Sequence, residues 1–417
     1  MVHSLVRYKG LAWVSSFPVL QFVFWAGVAC YTPYIVVFLM QKNAGISEIG
    51  LILTLSALSG VLSQPVWGLI SDHIKSIKKV FVMCLLATAT LVIILSFVNS
   101  MIVIAVMLVV ITFFYAPLIP LLDSWTVRSA LEDGKRSYGS IRLWGSIGFA
   151  VLVTIMGKVV SGSSASLAFV GYGVITCFTA LISLTVKDVK VDSSVKVKGD
   201  VEEESDNKRA KLSKLLRNYN YVVFLVFTFF LYISMLSIFS FLPKLMDSVG
   251  GNAGLYGVAM AVSALSEVPI LYISSRLIKK YRATSLILLC TVFYIIRLFI
   301  YSVAASPILI ILTQTLQGLS YGLFLASYVY YIHSLAPEGL KTTAQTIGNA
   351  VYMGMGGIVG NFVCGKLIDG FGIHAVYRFA AIEDIVIFFL FLLSIVLSGK
   401  RVNARMNANA SLKLGDE

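Results

Sequence analysis

Polar residues along most of this chain come only as short interruptions between long apolar runs. The runs lie near the roughly 20 residues that carry a helix across about 30 Å of hydrocarbon. Read in windows of about 19 residues, they predict spans at Phe17–Met40, Ile49–Ile70, Val80–Val98, Ile102–Leu122, Leu143–Val160, Ala165–Leu184, Tyr221–Leu245, Leu255–Leu277, Thr284–Val303, Ile308–Ile332, Thr346–Leu367 and Ala375–Leu397. The first run is longer than the roughly 7–15-residue apolar stretch of a cleaved signal, and a second span follows almost at once, so it is expected to stay as a helix. One long polar stretch breaks the pattern. It contains Glu202, Glu203, Glu204 and Asp206, then Lys208, Arg209 and Lys211, and it divides the spans six and six. The expected organisation is an N-terminal segment 1–16, a six-helix half 17–186, a solvated linker 187–220 with an interfacial basic end, a second six-helix half 221–398 and a tail 399–417.

Weak internal matches support two related halves. Pro65, Ser71 and Lys75 after the second span correspond to Pro269, Ser275 and Lys279 after the eighth, and Lys135 and Ile141 before the fifth correspond to Lys341 and Ile347 before the eleventh. Nearly constant offsets of this kind point to parallel repeats related by an axis along the membrane normal, with a site near the midplane between them. Gly145 and Gly148 in the fifth span, and Gly354, Gly356, Gly357 and Gly360 in the eleventh, form small-residue faces that permit close helix approach.

Composition narrows the class. Hydrophobic residues make up 58% of 417 and charged residues only 13%, against about 25% charged in soluble domains. The net charge of +13 does not mark a nucleic-acid partner, because the 33 Lys and Arg residues fall almost entirely on one side of the predicted spans. The other side holds only Lys42, Lys158, Lys244, Lys366 and Arg378, while Arg297 lies within a span. By the positive-inside rule both termini are expected in the cytoplasm of a cell-membrane protein. The five cysteines all fall in apolar spans without metal-ligand spacing, and read as small buried hydrophobes. No metal or cofactor is expected.

Charges inside hydrocarbon cost at least roughly 2.5–3.5 kcal/mol each on insertion scales, so they need partners or a polar cavity. Arg297 cannot shed its proton, and Glu267 in the preceding span is its expected partner. Desolvation disfavours a charged carboxylate and a guanidinium favours it, so moving one against the other would make Glu267 a proton carrier; a static ion pair is the alternative. Asp123 and Arg142 flank the connection between the fourth and fifth spans and are expected to face each other across a cavity wall or at the interface. Glu383 and Asp384 are adjacent and point about 100° apart on a helix. The tenth span is unusually polar, with Gln314, Gln317, Ser320, Tyr321, Ser327 and Tyr328, which implies a cavity or a helix partner.

The segment from Gln64 through Pro65, Trp67, Gly68, Asp72, His73 and Lys75 to Lys78 and Lys79 resembles the signature loop of the major facilitator superfamily, with His73 and Lys75 departing from the usual residues. Within it, Tyr31, Pro33 and Tyr34, the stretch Tyr138 to Gly145, Asp123, and Arg297 twenty residues before Gln317 resemble the lactose-permease and phenylpropionate-transporter-like branch. The resemblance implies an all-α membrane fold of twelve helices in two six-helix halves. It implies solute contacts at Asp123, Arg142, Phe149, Gln317, Ser320 and Tyr34, and a conformational gate at Gly68 and Asp72. Where that branch has a sugar-stacking Trp, His and Glu, this chain has Phe149, Gln317 and Ser320, so coupling is expected to pass to Glu267 and Arg297.

The expected function is secondary transport by alternating access, a proton symport of a sugar, nucleoside or aromatic carboxylate by a monomer. A proton-driven drug or metabolite exporter of the same fold is the alternative. A membrane enzyme is disfavoured, since His3, His73, His333 and His374 are dispersed. A phosphate-binding loop for ATP is missing from the sequence.

Overall fold

The computed structural model describes the backbone of residues 2–133, 138–186, 188, 211–337 and 340–413; side chains are described from 17 to 398 within these, except at 72, 130–133, 138, 139, 275 and 342. Among them, twelve helices are long and apolar enough to cross a membrane: α1 (Phe17–Gln41), α2 (Ile46–Ser71), α3 (Ile77–Ser96), α4 (Met101–Ser129), α5 (Ser140–Ser161), α6 (Ala165–Thr185), α7 (Tyr219–Ser248), α8 (Ala253–Ser274), α9 (Ala283–Ser302), α10 (Pro307–Leu335), α11 (Thr343–Phe371) and α12 (Ile373–Ser398). Twelve crossings put the N-terminus, the segment between α6 and α7, and the C-terminus at one end of the bundle. This is the linker end, and the opposite one is the far end. Helix continues past the hydrocarbon at both termini, back to Val2 before α1 and on to Lys413 after α12. Pro33, which has no N–H to donate, interrupts α1 with a turn at Thr32 and Pro33.

Several helices outrun the apolar pattern at their linker ends. α4 continues through Ser124, Thr126 and Arg128 to Ser129, and α5 begins before Arg142. These polar turns are helical because protein, not lipid, surrounds part of them: Trp125 and Thr126 are fully buried, and Thr126 Oγ1 accepts from Gln21 Nε2 of α1 at 2.9 Å. Lipid-facing surfaces are apolar instead, with Phe178, Leu181 and Leu184 on α6 and Ile382, Phe389 and Leu393 on α12 all more than half exposed.

The packing repeats between halves. α1 packs on α5 and α6, α2 on α4, and α3 on α6; correspondingly α7 packs on α11 and α12, α8 on α10, and α9 on α12. Between the halves, α2 meets α11 and α5 meets α8, a pairing that a pseudo-two-fold axis maps onto itself. The two prolines matched in the sequence, Pro65 and Pro269, both lie inside helices, α2 and α8. The correspondence lapses about three turns later: Lys75 adopts the left-handed conformation that ends the helix of α2, whereas the helix of α8 runs through Lys279.

The interface is tight at the far end, where glycines face each other. Gly50 of α2 sits against Gly365 of α11, and Gly157 of α5 against Gly257 of α8, so closely that a Cβ on Gly50 or Gly157 would stand about 3.0 Å from the partner's Cα. Ser47 N–H donates to Asp369 Oδ2 at 2.8 Å and Thr54 Oγ1 to the Ile358 carbonyl at 3.2 Å, both from α2 to α11. Toward the linker end the same face of α2 reaches Gly68, where an added Cβ would meet nothing within 4 Å. The close backbone contacts between the halves thus lie at the far end, while α2 stands open at Gly68.

Candidate functional site

The site is assembled from α8, α9 and α10 of the second half and α1 and α5 of the first. α8 and α10 approach at Ser266 and Gly318, where a Cβ on Gly318 would fall on the Ser266 carbonyl oxygen. The Ser266 hydroxyl accepts from Gly318 N–H at 3.1 Å. Around this contact α10 abandons regular α geometry, with a 3₁₀ turn at Gln314–Leu316 followed by a π segment at Gly318–Gly322, a departure frequent at functional sites. The irregular turns bring Gln314, Gln317 and Ser320 to one side, toward α9.

Arg297 of α9 fills that position and is fully buried. Its Nη1 donates to Gln317 Oε1 at 2.5 Å and to Ser320 Oγ at 2.7 Å, and its Nη2 donates to Gln314 Oε1 at 3.0 Å and to Tyr301 OH at 3.4 Å. Charge-assisted bonds of this kind are about twice as strong as neutral ones, which lets neutral oxygens hold a guanidinium away from water. The expected ion pair with Glu267 takes a different form. Glu267 and Arg297 are joined through Gln317, whose Nε2 donates to Glu267 Oε1 at 3.1 Å.

Glu267 is half-buried and lies in the electrostatic reach of two guanidiniums, Arg142 of the first half and Arg297 of the second. Tyr321 of the π segment is half-buried and packs edge-on against Phe239 at 5.3 Å. Arg142 does not pair with Asp123 among the described residues. Its guanidinium lies over the Trp25 ring of α1, 3.9 Å from the ring centre, and Trp25 Nε1 donates in turn to Gln21 Oε1 at 3.1 Å. Asp123 is half-buried on α4 with contacts of its own.

The other expected site residues are dispersed. Gln317 and Ser320 are buried with their oxygens turned to Arg297. Phe149 is half-buried and packs against two apolar clusters, one confined to the first half and one running through both. Tyr34 is fully buried nearer the far end, donates its hydroxyl to the Val153 carbonyl of α5 at 2.8 Å, and packs edge-on against Tyr256 of α8. Gly68 lies on the open face of α2, and the side chain of Asp72 lies outside the described residues. Sequence reasoning missed Trp25 as the support for Arg142 and Gln314 as an Arg297 ligand; the polar stripe of α10 was the signal for the latter. Away from this centre, Asp384 of α12 is fully buried against α7, its Oδ1 accepting from Ser234 Oγ at 2.7 Å.

Comparison with known proteins agrees with this architecture. The chain is 27% identical over 384 residues to the maltose permease of Geobacillus stearothermophilus, covering 91% of this chain and 94% of that one. It is 25% identical over 386 residues to the uncharacterized transporter YwbF of Bacillus subtilis, covering 92% and 93%. Among solved structures, a mutant of the nucleoside transporter NupG superposes with a TM-score of 0.81 at 16% identity, over 91% of this chain and 99% of that one, a likeness of fold. A POT family transporter superposes with a TM-score of 0.72 at 11% identity, over 93% and 96%. The sequence matches the MFS_1 like family over residues 15–379. The chain is therefore a multi-pass membrane transporter of the major facilitator superfamily and belongs to its MFS_1 like family.

Proposed function

We propose that this transporter is a proton symporter of a hydroxyl-rich solute, a sugar or nucleoside, working by alternating access as a monomer. The relatives' names, maltose permease and nucleoside transporter, favour these classes over an aromatic carboxylate. The basic ends of the spans orient the linker and both termini to the cytoplasm, so the conformation in which the glycine contacts close the far end is the inward-facing one.

The observation that carries this reading is the place of Glu267, between Arg142 of one half and the Gln317–Arg297 unit of the other. An ionised Glu267 accepts from Gln317 and balances both guanidiniums. A protonated Glu267 loses part of that role and leaves Arg142 free to donate to solute oxygens. Because Arg142 and Glu267 belong to different halves, the proton changes the attraction between the halves, and a ligand can bias only the state with which it interacts differently. Asp123, Phe149 and Tyr34 would complete the solute contacts, Gln317 and Ser320 would relay them to Arg297, and Gly68 and Asp72 would gate the linker end.

The test is the external pH of lightly buffered, de-energised cells or vesicles on adding sugars, nucleosides and aromatic acids, with a protein-free control for permeant acids. Solute-dependent alkalinisation is expected with the native chain and lost in Glu267→Gln. Tracer uptake without proton movement would sink the coupling role of Glu267.

A further inference from the structure

Away from the candidate transport site, the segment entering α7 forms a surface of its own. Residues 211–216 are helical, and their side chains divide by face. Leu215 is buried and Leu212 half-buried against the bundle, while Lys211, Ser213, Lys214 and Arg217 are exposed. Ser213, Lys214, Arg217 and Asn218 line a single open recess of about 570 Å³. Asn218 Oδ1 is turned away to accept from the Asn220 and Tyr221 N–H groups at the start of α7, which leaves the recess dominated by two cations and a hydroxyl. Among the described residues, no acid pairs with Lys214 or Arg217. Leu216 and Tyr219 beside them are 47% and 42% exposed, in the position where the chain enters hydrocarbon.

We propose that this recess holds the headgroup phosphate of an anionic bilayer lipid, with Lys214 and Arg217 as its cations, Ser213 as a neutral donor, and Leu216 and Tyr219 against the upper acyl chain. A free phosphate would be served by the same cations but has no use for the exposed apolar pair, and this favours the lipid. Basic side chains near an anionic surface each contribute about fivefold to attachment, so the pair is worth about 25-fold.

The experiment titrates the detergent-purified full chain with dioctanoyl phosphatidylglycerol and dioctanoyl phosphatidylcholine and counts bound lipid by native mass spectrometry. Tight binding of the phosphatidylglycerol is expected in the native chain and in the charge-keeping Lys214→Arg/Arg217→Lys protein, weakened about 25-fold in Lys214→Gln/Arg217→Gln. Both variants alter exposed positions, and a native elution profile checks their fold. Equal affinity in the neutralised variant would overturn the proposal. So would displacement of the lipid by equimolar inorganic phosphate or glycerol 3-phosphate, which would mark a soluble-phosphate site.

Discussion

Replacing Gly50 by Ala tests whether the far-end seal is set by glycine contacts. The added methyl would stand 2.7 Å from the Asn361 carbonyl oxygen and 3.0 Å from Gly365 Cα, where ordinary contact begins at 3.4 Å. Both neighbours are backbone and cannot swing aside, so α2 and α11 must part by several tenths of an ångström. The Ser47 to Asp369 bond of 2.8 Å and the Ser47 to Gly365 contact of 3.5 Å lie on the same line and lengthen with them. Overpacking of this size costs about 1–3 kcal/mol. That penalty is confined to the sealed state, so the equilibrium should move toward far-end opening by about 5–150-fold. Spin labels at Ser100→Cys and Ala305→Cys, in the far-end loops of the two halves, read the change as a longer distance population by double electron–electron resonance. Cys177 is the exposed native thiol among five and is replaced by Ser in this background. An unchanged distance distribution in a folded protein would refute the argument that these glycines hold the seal.

Two further predictions address buried polar groups. Gln317→Leu removes one of the two acceptors for Arg297 Nη1 and the donor to Glu267, and hydrogen bonds to charged groups are worth about 1.5–3 kcal/mol. Thermal unfolding in detergent should fall clearly, and solute-driven proton uptake should fall with it; native coupling in this variant would show that Glu267 acts without the bridge. Asp384→Asn should unfold near the native temperature, because the amide oxygen keeps an acceptor for Ser234 and the position of Asp384 Oδ2 is already without a hydrogen-bond partner. Asp384→Leu should lose about 0.5–1.5 kcal/mol, the net worth of one hydrogen bond, since Ser234 keeps its donation to the Leu231 carbonyl at 2.9 Å, and equal losses in the two variants would contradict this account.

The fold was legible because the solvent of most residues is lipid, and twelve runs of the right length leave few alternatives. Span ends were less so: polar turns such as Ser124 to Ser129 are helical because of Trp125 and Gln21 contacts made across the bundle, which hydropathy cannot register. The buried Arg297 and the polar stripe of α10 were visible as a pair of anomalies. That Gln317 stands between Arg297 and Glu267 was not, since the 3₁₀ and π turns of α10 shift which residues face α9, and regular periodicity does not contain that shift. The support of Arg142 was hidden for a related reason. Opposite charge near a loop is a local cue, whereas the Trp25 ring that receives Arg142 lies over a hundred positions earlier in the chain and is uncharged.

Every hydrogen-bond partner of Arg297 belongs to α9 or α10. The cation is consequently cargo that travels with its own half, moving through the membrane's electric field only as far as that rigid body turns. Moving a charge through the field is worth about 2.3 kcal/mol per 100 mV, and a fixed passenger collects little of it. The electrical work of a turnover would then be carried by any proton or charge that moves with the solute, and by the change in position of Arg142 relative to Glu267.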